Sequence, residues 1–260
     1  MKDTRIGMGM PIEIEIVGPT SLKLRRASED AFEYLMKVEA RFSVYKEDSE
    51  ISRINRAAPF VASSGEWGEL SLTDASAEMK EVFAIGEKTK KETRGYFDIR
   101  RPDGSIDPSG VVKGWAIRNT AARVRAAGHE NYMVNAGGDI AMNGKNAEGE
   151  EWNVGIRNPF NIHEIVKVVY PRGKGIATSG SYIRGDHIYN PHEPEEKIRN
   201  IVSVTVIGPD VLEADLIATA AFAMGTSGVA FIESLSGFEG YAIDTNGIAT
   251  FTSGFGEYLK

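Results

Sequence analysis

The amino-acid sequence predicts an α+β fold on the basis of three observations. The segment "PIEIEIV" alternates isoleucine with glutamate, which is the period-two pattern of a strand with one wet face. Residues 20–42 change to the spacing of a helix. Strand-like hairpins then cluster between helices, whereas a doubly wound parallel fold would alternate strands and helices regularly.

Helices are predicted for three segments in the first part of the chain. Ala31, Leu35 and Phe42 fall on one stripe of residues 20–42, as expected for a helix with one buried face. The stretch "EDSEISRIN" predicts a short second helix. Thr73 is the candidate N-cap of a third helix, which is expected to end by Gly95.

Strands are predicted for most of the second half of the chain. After a helix from about Val111 to Ala127, the stretch "NYMVNAGGDIAMNG" predicts two strands joined by a glycine turn. Further strands are expected in "EWNVGIRNP", "HEIVKVVYP" and "KGIATSG". The strand "IVSVTVIG" leads into the helix "VLEADLIATAAFAMG", and "GYAIDTNGIATFT" predicts a closing hairpin that turns at "TNG".

Length and composition limit the functions that the chain can have. Its 260 residues are 42% hydrophobic, which suffices for one domain over residues 1–260 or for two subdomains within it. The net charge of -7 argues against nucleic-acid binding, which needs basic surface. The absence of cysteine excludes disulfides, zinc–cysteine sites and thiol catalysis. The common glycine-rich dinucleotide and P-loop motifs are also absent, so any phosphate chemistry needs another design.

The N-terminal stretch "MKDTRIGMGM" lacks the apolar core of a signal peptide. No apolar run in the sequence approaches the roughly 18 residues of a membrane span. As written, the sequence therefore predicts a cytoplasmic protein with no membrane span. An exported protein whose N-terminal signal had been removed would look the same, so export stays an alternative.

Two glycine-containing stretches are candidates for ligand binding. In "IDPSGVVKGWA", Gly110 and Lys113 lie where a helix begins, and Asp107 precedes it. Free N–H groups at a helix N-terminus together with a lysine can bind an anion; a capped helix with a solvated lysine explains the same residues equally well. In "NAGGDI", Gly137 and Gly138 permit positive φ and the close approach of a ligand, or form a plain tight turn.

Three polar residues later in the chain are further candidates. Asp215 and Thr219 lie one helical turn apart in an otherwise apolar helix, so they share a face. A carboxylate and a hydroxyl make half of a site for a hard cation such as Mg²⁺. The alternative is a satisfied polar pair, with Asp215 bound to an arginine and Thr219 bonded back along the helix. His187 follows a small-residue stretch and can serve as an acid or base near neutral pH; the alternative is a structural or surface histidine.

Eight stretches, taken together, form an ordered set of motifs. They run from Met8 to about Gly225 and comprise "MGMPIEI", "FSVYKEDSEISRIN", "GYFDI", "DPSGVVKGWA", "NAGGDI", "IATSGSY", "HIYNP" and "SVTVIGPDVLEADLIATAAFAMG". This set resembles the motifs of the FAD:protein FMN transferase (ApbE) family. No single stretch is decisive, but the ordered set is specific. The resemblance implies an α+β fold of T-fold-related mixed sheets with packed helices and FAD in a cleft.

The resemblance also implies an activity. Members of that family use Mg²⁺ to transfer the FMN half of FAD to a threonine or serine hydroxyl of a target flavoprotein, with release of AMP. Some members instead hydrolyse FAD to FMN and AMP, and others mainly hold it. The implied partners are FAD, Mg²⁺ and a flavoprotein subunit or domain that carries the acceptor hydroxyl.

The site residues that the resemblance implies fall into three groups. The Mg²⁺ ligands would be Gly110, through its carbonyl, Asp215 and Thr219. His187 matches the histidine that is proposed as the base. The FAD site would be lined by Met8, Tyr45, Tyr96, Phe97, Asp98, Asp107, Lys113 and Ile188, with Asn55 near the metal or the pyrophosphate.

One stretch departs from the family pattern. After "HI" the family usually has Asp-Pro, a basic or polar residue and then Thr-Gly, whereas this chain has "YNPHEP". The aspartate has become the neutral Asn190, and Thr-Gly has become Glu193 and Pro194. If that aspartate tunes the base, His187 is less basic in this chain. The departure therefore bears on the transfer step and leaves the expected binding of FAD and metal unchanged.

Overall fold

The computed structural model describes residues 1–57, 72, 74–181 and 188–260. Its helices within these residues are α1 (Leu22–Phe42), α2 (Glu50–Ala57), α3 (Ala77–Glu92), α4 (Ser109–Ala126), α5 (Val211–Ala223) and α6 (Gly228–Glu233). Its strands there are β1 (Lys2–Gly7), β2 (Met10–Ile16), β3 (Tyr132–Ala136), β4 (Asp139–Asn143), β5 (Val154–Asn158), β6 (Asn161–Val169), β7 (Gly175–Gly180), β8 (Ile201–Gly208), β9 (Glu239–Asp244) and β10 (Ala249–Phe251). The predicted α+β class is confirmed. None of these helices combines the length and apolarity that a bilayer span requires.

One large sheet organises the strands. Eight of them form it in the order β1-β2-β3-β4-β7-β8-β9-β10, and β5 pairs with β6 in a separate hairpin. Each of these pairs is antiparallel. Within the described residues the sheets are therefore antiparallel, and not mixed as the resemblance implied. Short turns join β1 to β2, β3 to β4 and β9 to β10, and such short connections can only join antiparallel strands.

The predicted helices lie close to their expected positions. α1 begins after Ser21, whose hydroxyl accepts a hydrogen bond from the Leu24 N–H at 3.2 Å. α3 begins after Ser76, whose hydroxyl accepts from the Met79 N–H at 3.2 Å. The candidate cap Thr73 lies outside the described residues. Both observed caps follow the preference for a hydroxyl at the position before the first helical residue.

β1 is a strand that the sequence pattern does not indicate. Its residues "KDTRIG" are mostly charged or polar, and it forms an edge of the large sheet by pairing with β2. The turn between the two strands has positive φ at Met8 (51°) and Gly9 (73°). Arg5 on β1 pairs with Asp3 and Glu29 at the surface. Tertiary pairing with the isoleucine-rich β2, and not local propensity, decides this strand.

The large sheet is covered on both faces. On one face α1 packs against β2, α4 packs against β3, and α5 packs against β7 and β8, while α3 packs against α4 and adds its side chains to the same core. On the other face the β5–β6 hairpin and the C-terminal residues supply Ile156 and Phe255 to a second core. β9 touches both sides, since Tyr241 belongs to the second core and Ala242 to the core beneath α5. Burial on both faces explains why β8 is a nearly continuous apolar run.

α4 and α5 approach each other closely at Gly114. A Cβ atom on Gly114 would lie 2.8 Å from the Leu212 Cα and 3.1 Å from the Asp215 Cβ. A glycine is therefore required for the two helices to pack at this distance. The close approach sets Lys113, in the first turns of α4, beside the middle of α5.

Candidate active site

A cleft of about 1210 Å³ is enclosed by elements that are distant in sequence. Its walls are the β1–β2 turn, the end of α1, residues 96–107, the first turn of α4, β5, β7 and one face of α5. These elements meet because β4 pairs with β7 and α4 packs against α5. The cleft wall contains most of the residues that the sequence analysis assigned to a site, namely Met8, Tyr45, Tyr96, Phe97, Asp98, Asp107, Gly110, Lys113, Ile188, Asp215 and Thr219.

Lys113, which lines this cleft, lies between two buried carboxylates. Its Nζ is 2.5 Å from the Asp139 Oδ2 and 3.1 Å from the Asp215 Oδ1. Both carboxylate side chains are 2% exposed. Asp139 also accepts a hydrogen bond from the Thr178 N–H at 3.0 Å, and Asp215 accepts one from the Gly114 N–H at 3.1 Å. These contacts offset much of the cost of burying the two carboxylates. We call Lys113, Asp139 and Asp215 the charged centre.

The contacts decide between the alternatives that the sequence left open. Lys113 is 21% exposed and pairs with Asp139, so it is not a solvated lysine at a capped helix. Asp215 is bound by this lysine and not by an arginine. The Thr219 hydroxyl lies 3.2 Å from the Ser179 Oγ on β7, so it bonds across to the sheet and not back along α5.

Carboxylates outnumber the ammonium group in the charged centre. Burial lowers the pKa of Lys113, but Asp139 and Asp215 raise that pKa by more, so the net shift is upward. Burial raises the pKa of Asp215 to about 7, although Lys113 favours its charged form. Lys113 therefore stays charged at neutral pH, whereas the raised pKa of Asp215 shows that its charged form is not fully stabilised by this one ammonium group.

The charged centre fits a divalent cation. Among the described residues, the buried Asp139 Oδ2 has the Lys113 ammonium as its only polar contact. Asp215, Thr219 and Gly110 line the same cleft and offer a carboxylate, a hydroxyl and a carbonyl oxygen, which are ligands that Mg²⁺ accepts. The described residues contain no cluster of three or more histidine or carboxylate groups with metal-site geometry. The remaining ligands would therefore come from a bound phosphate and from water.

The N-terminus of α4 also faces the cleft. Asp107 accepts a hydrogen bond from the Ser109 N–H at 3.0 Å, just before the helix, and pairs with Arg101. Arg101, Ser109 and Gly110 all line the cleft. The partial positive charge of the helix N-terminus and the neighbouring guanidinium favour an anionic group here.

Three aromatic side chains in the cleft wall differ in how much of their surface is exposed. Tyr45 is 90% exposed. Tyr96 is half-buried, and its ring packs edge-on against His192 with the centroids 4.6 Å apart. Phe97 is only 3% exposed and lies against Gly110, where a Cβ atom would be 3.1 Å from its ring. Tyr45 and Tyr96 can therefore offer ring faces to a planar ligand, whereas Phe97 exposes little of its ring and packs against the Gly110 backbone.

Residues 8–103 and 100–242 match the sequence profile of the ApbE family. The chain belongs to the ApbE family. A relative from Vibrio cholerae serotype O1, named FAD:protein FMN transferase, is 27% identical over 237 residues, which are 74% of this chain and 71% of that protein. The proteins of the same name from Escherichia coli strain K12 and Salmonella typhimurium are 34% and 36% identical, over 58% and 48% of this chain. The matches span 46% and 38% of those two proteins, less than half of each.

Solved ApbE structures have the same fold. The flavin transferase ApbE from Vibrio cholerae superimposes with a TM-score of 0.83 at 23% identity, covering 100% of this chain and 99% of that one. The ApbE protein from Thermotoga maritima gives a TM-score of 0.83 at 20% identity, with the same coverage. The α+β architecture described above is therefore the ApbE fold.

Two residues that the ApbE resemblance assigned are not found in the described cleft wall. Asn55 donates a hydrogen bond to the Ile106 carbonyl and accepts one from the Ile106 N–H, both at 2.9 Å. Its amide thus ties α2 to the segment before α4, and its expected position beside the metal or the pyrophosphate stays a prediction. His187 lies outside the described residues.

Three other residues of the ApbE resemblance line the cleft but are held by neighbours. The Met8 N–H donates to Glu39 at 2.8 Å. Asp98 pairs with Lys90 at 2.7 Å. Ile188 packs against the core between α5 and β8. These contacts fix the shape of the wall on which a ligand would rest.

The altered ApbE motif "NPHEP" forms a compact turn. The Asn190 Oδ1 accepts a hydrogen bond from the His192 N–H at 3.0 Å, and its Nδ2 donates to Glu193 at 3.3 Å. The His192 Nε2 is 3.0 Å from the Arg94 carbonyl oxygen, and its ring contacts Tyr96. In this chain the turn therefore fixes a histidine against a tyrosine of the cleft.

Asp139 is a site residue that the sequence analysis did not assign. It is 1% exposed and begins β4 directly after the turn at Gly137 and Gly138, whose φ values are 64° and 104°. A carboxylate at the start of a strand in "GGDI" was the available signal, since a buried carboxylate needs a partner. That partner, Lys113, is on another element and is identified only by the fold.

Proposed function

We propose that this ApbE protein transfers FMN from FAD to a threonine or serine hydroxyl of a target flavoprotein, with Mg²⁺ and with release of AMP. Family membership and the names of its relatives support flavin transfer. The observation that carries the proposal is the charged centre, whose Lys113 and Asp215 line the cleft together with Gly110 and Thr219. Apolar residues often stabilise a core as well as a buried ion pair does, so a charged centre facing a cleft indicates a function.

The residues around the charged centre have separate roles in this proposal. Asp215, Thr219 and the Gly110 carbonyl would hold Mg²⁺, which supplies neutralisation of the charge on the pyrophosphate oxygens when bound. Lys113 fixes the orientation of the Asp215 carboxylate and adds a positive charge beside the phosphates. Arg101 and the N-terminus of α4 favour binding of the same anionic group.

The proposed reaction exchanges one phosphorus–oxygen bond for another. The acceptor oxygen forms a bond to the FMN-side phosphorus, and the bond from that phosphorus to the bridging oxygen breaks, so AMP leaves with the bridging oxygen. The hydroxyl proton must pass to a base because the pKa of the hydroxyl is far above neutral. The ApbE resemblance gives this role to His187, while Tyr45 and Tyr96 would contact the rings of FAD.

A direct assay tests the proposal. The protein is incubated with FAD, Mg²⁺ and a flavoprotein domain that carries the acceptor threonine, and the domain is analysed by mass spectrometry. We expect the domain to gain the mass of FMN in step with AMP release, and the same domain with its threonine changed to alanine to stay unmodified. An unmodified acceptor in the presence of bound FAD and Mg²⁺ would reject transfer.

Hydrolysis of FAD to FMN and AMP is the second candidate, and the "NPHEP" turn favours it. Asn190 is neutral where the family has aspartate, and its amide is occupied within its own turn. A less basic His187 would lower the rate of attack by a protein hydroxyl. AMP release that does not depend on the acceptor domain would support hydrolysis. FAD binding with no AMP release under any divalent metal would instead indicate a storage protein.

A further inference from the structure

The β5–β6 hairpin has exposed apolar side chains. Ile165 and Val168 on β6 are 47% and 43% exposed, and Phe160 and Ile162 at the turn end are 58% and 50% exposed. Ile165 and Val168 share a face although they are three residues apart, because an irregularity in the pairing shifts the register between them. A group of exposed apolar side chains on one element indicates a contact surface for a partner.

β5 forms part of the wall of the cleft. Four consecutive residues, 154–157, line it. Side chains of a strand alternate between its two faces, so consecutive residues can line one cavity only if the strand presents its backbone edge to that cavity. β5 therefore turns an edge, and not a face, toward the cleft.

The edge of β5 that faces the cleft has no strand partner among the described residues. β5 pairs there with β6 alone, in a two-stranded sheet. No residue of β6 lines the cleft, so the cleft lies on the side of β5 away from β6. A strand edge of this kind offers N–H and C=O groups to an extended peptide.

Gly155 lets an apolar side chain reach toward this edge. A Cβ atom on Gly155 would lie 2.8 Å from the Ile165 Cδ1. Ile165 thus occupies the space above β5 that a side chain at position 155 would fill. A third strand beside β5 would bring its own side chains next to Ile165 on the same exposed face.

From this geometry we infer that the acceptor segment of the target protein binds as an extended strand along the free edge of β5, with an apolar side chain against Ile165. This inference rests on the proposed function, since it names how the acceptor of the transfer is recognised. The edge lines the same cleft as Lys113 and Asp215, so a threonine or serine on such a strand would lie in the cleft where phosphoryl transfer is proposed.

The size of the cleft favours this occupant. Its volume of about 1210 Å³ exceeds the roughly 300–1,000 Å³ of a typical small-molecule pocket. The cleft therefore has room for a peptide segment beside a dinucleotide. A second copy of this chain would cover the exposed face of the hairpin without placing a hydroxyl in the cleft.

Charged substitutions on the exposed face test the contact with the acceptor. We expect Ile165→Arg and Val168→Lys each to raise the KM for the acceptor domain about tenfold, with kcat and the Kd for FAD within about twofold of wild type. Neither residue lines the cleft. Leu22→Lys is the matched control, because Leu22 is 79% exposed at the start of α1 and its substitution leaves all these constants unchanged.

N-methylation of the acceptor tests the strand pairing itself. The substrate is a synthetic peptide of about 12 residues centred on the acceptor threonine, methylated at one backbone nitrogen at a time. A strand paired along one edge directs every second N–H toward its partner. We expect methylation to abolish FMN transfer at alternate positions and to be tolerated at the positions between them.

Each result supports or overturns the inference. A wild-type protein that modifies no acceptor rejects the proposed function, and the inference with it. If wild type modifies the domain but not the peptide, or if methylation has no alternating effect, only strand pairing is rejected. An unchanged acceptor KM in both charged variants rejects the contact surface. A wild-type dimer in sedimentation that Ile165→Arg dissociates would show that a second copy occupies this face.

Discussion

At the scale of single residues, the charged centre shows why Asp215 can be buried in an apolar helix. Its carboxylate pairs with Lys113 and accepts a hydrogen bond from the Gly114 N–H, while Asp139 pairs with the same ammonium group. Burial raises the pKa of Asp215 to about 7, and the neighbouring Asp139 adds to the rise, although Lys113 lowers this pKa. A cation bound beside Asp215 would stabilise its charged form, and charge balance is therefore the physical reason to expect a metal here.

Substitution of Asp215 and of Asp139 distinguishes the proposed metal ligand, Asp215, from Asp139, which positions Lys113. We expect Asp215→Asn to lower the rate of FMN transfer at least about 100-fold, because it removes a ligand and its charge. Asp139→Asn should lower the rate about 10- to 100-fold, because Lys113 loses one of the two carboxylates that hold its ammonium group in place. Transfer rates measured over a range of Mg²⁺ concentrations check this, with Glu195→Gln, an exposed carboxylate, as the control. A wild-type rate for Asp215→Asn would disprove the metal assignment.

His192 lies in the turn that departs from the family pattern, and its ring contacts Tyr96 of the cleft. We expect His192→Ala to raise the Kd for FAD about two- to tenfold, because Tyr96 loses an aromatic neighbour worth about 0.5–1.5 kcal/mol. His192→Phe keeps the ring contact and should restore much of the affinity. Quenching of flavin fluorescence gives the Kd, and His163→Ala, on the exposed part of β6, is the control. Equal affinity in wild type and His192→Ala would show that the contact does not position Tyr96.

At the scale of secondary-structure elements, the helix pair α4–α5 and the turn before β4 build the centre. α4 supplies Lys113, α5 supplies Asp215, and the double-glycine turn places Asp139 at the first position of β4. Both glycines of that turn have positive φ, which a two-residue hairpin turn of this type requires. The glycine turn is therefore explained by the hairpin alone, and it also brings a carboxylate into the site.

The α4–α5 contact gives a prediction about stability. A methyl group at position 114 would overlap the backbone of α5, so we expect Gly114→Ala to lower the free energy of unfolding by about 1–3 kcal/mol. The same shift would move Asp215 away from Lys113 and reduce Mg²⁺-dependent activity. Urea denaturation provides the measurement. Gly256→Ala is the control, because nothing lies within 4 Å of a Cβ atom there, and its effect should stay within about 0.5 kcal/mol.

At the scale of the whole molecule, the cleft draws on elements from both halves of the chain, from the β1–β2 turn to α5. A ligand that binds across it holds the helical side and the β5–β6 hairpin together. Ligand binding should therefore stabilise the entire fold and not one element, because only the folded chain assembles the cleft.

Thermal unfolding tests this coupling. With Mg²⁺ saturating and FAD at about 100 times the dissociation constant that it has under that condition, FAD binding should stabilise the fold by about 2.7 kcal/mol. For a chain of this size that corresponds to a rise in Tm of about 5–10 °C. FAD alone should give a smaller rise, and Asp215→Asn should lose the increment that Mg²⁺ adds. An equal rise with and without Mg²⁺ would contradict a metal that bridges the protein and FAD.

Much of the fold could be predicted from the sequence. Hydrophobic periodicity located the predicted helices in the described residues to within a few positions, and β2 and the hairpins followed from alternation and turn residues. β1 was missed because its residues are mostly polar and it is a strand only by pairing with β2. The hydrogen bonds of Asn55 could not be predicted, because a motif gives the identity of a residue and not the direction of its side chain, which here bonds to Ile106.

The sequence by itself determined the fold class, the family resemblance and most of the residues that line the cleft, because these depend on local periodicity and on ordered motifs. Only the tertiary structure decided which charged groups form ion pairs in the site. Lys113, Asp139 and Asp215 come from α4, β4 and α5, and their distances depend on one close helix contact and one strand pairing. The exposed edge of β5 was likewise decided by sheet order, since no local pattern records which strand lacks a neighbour.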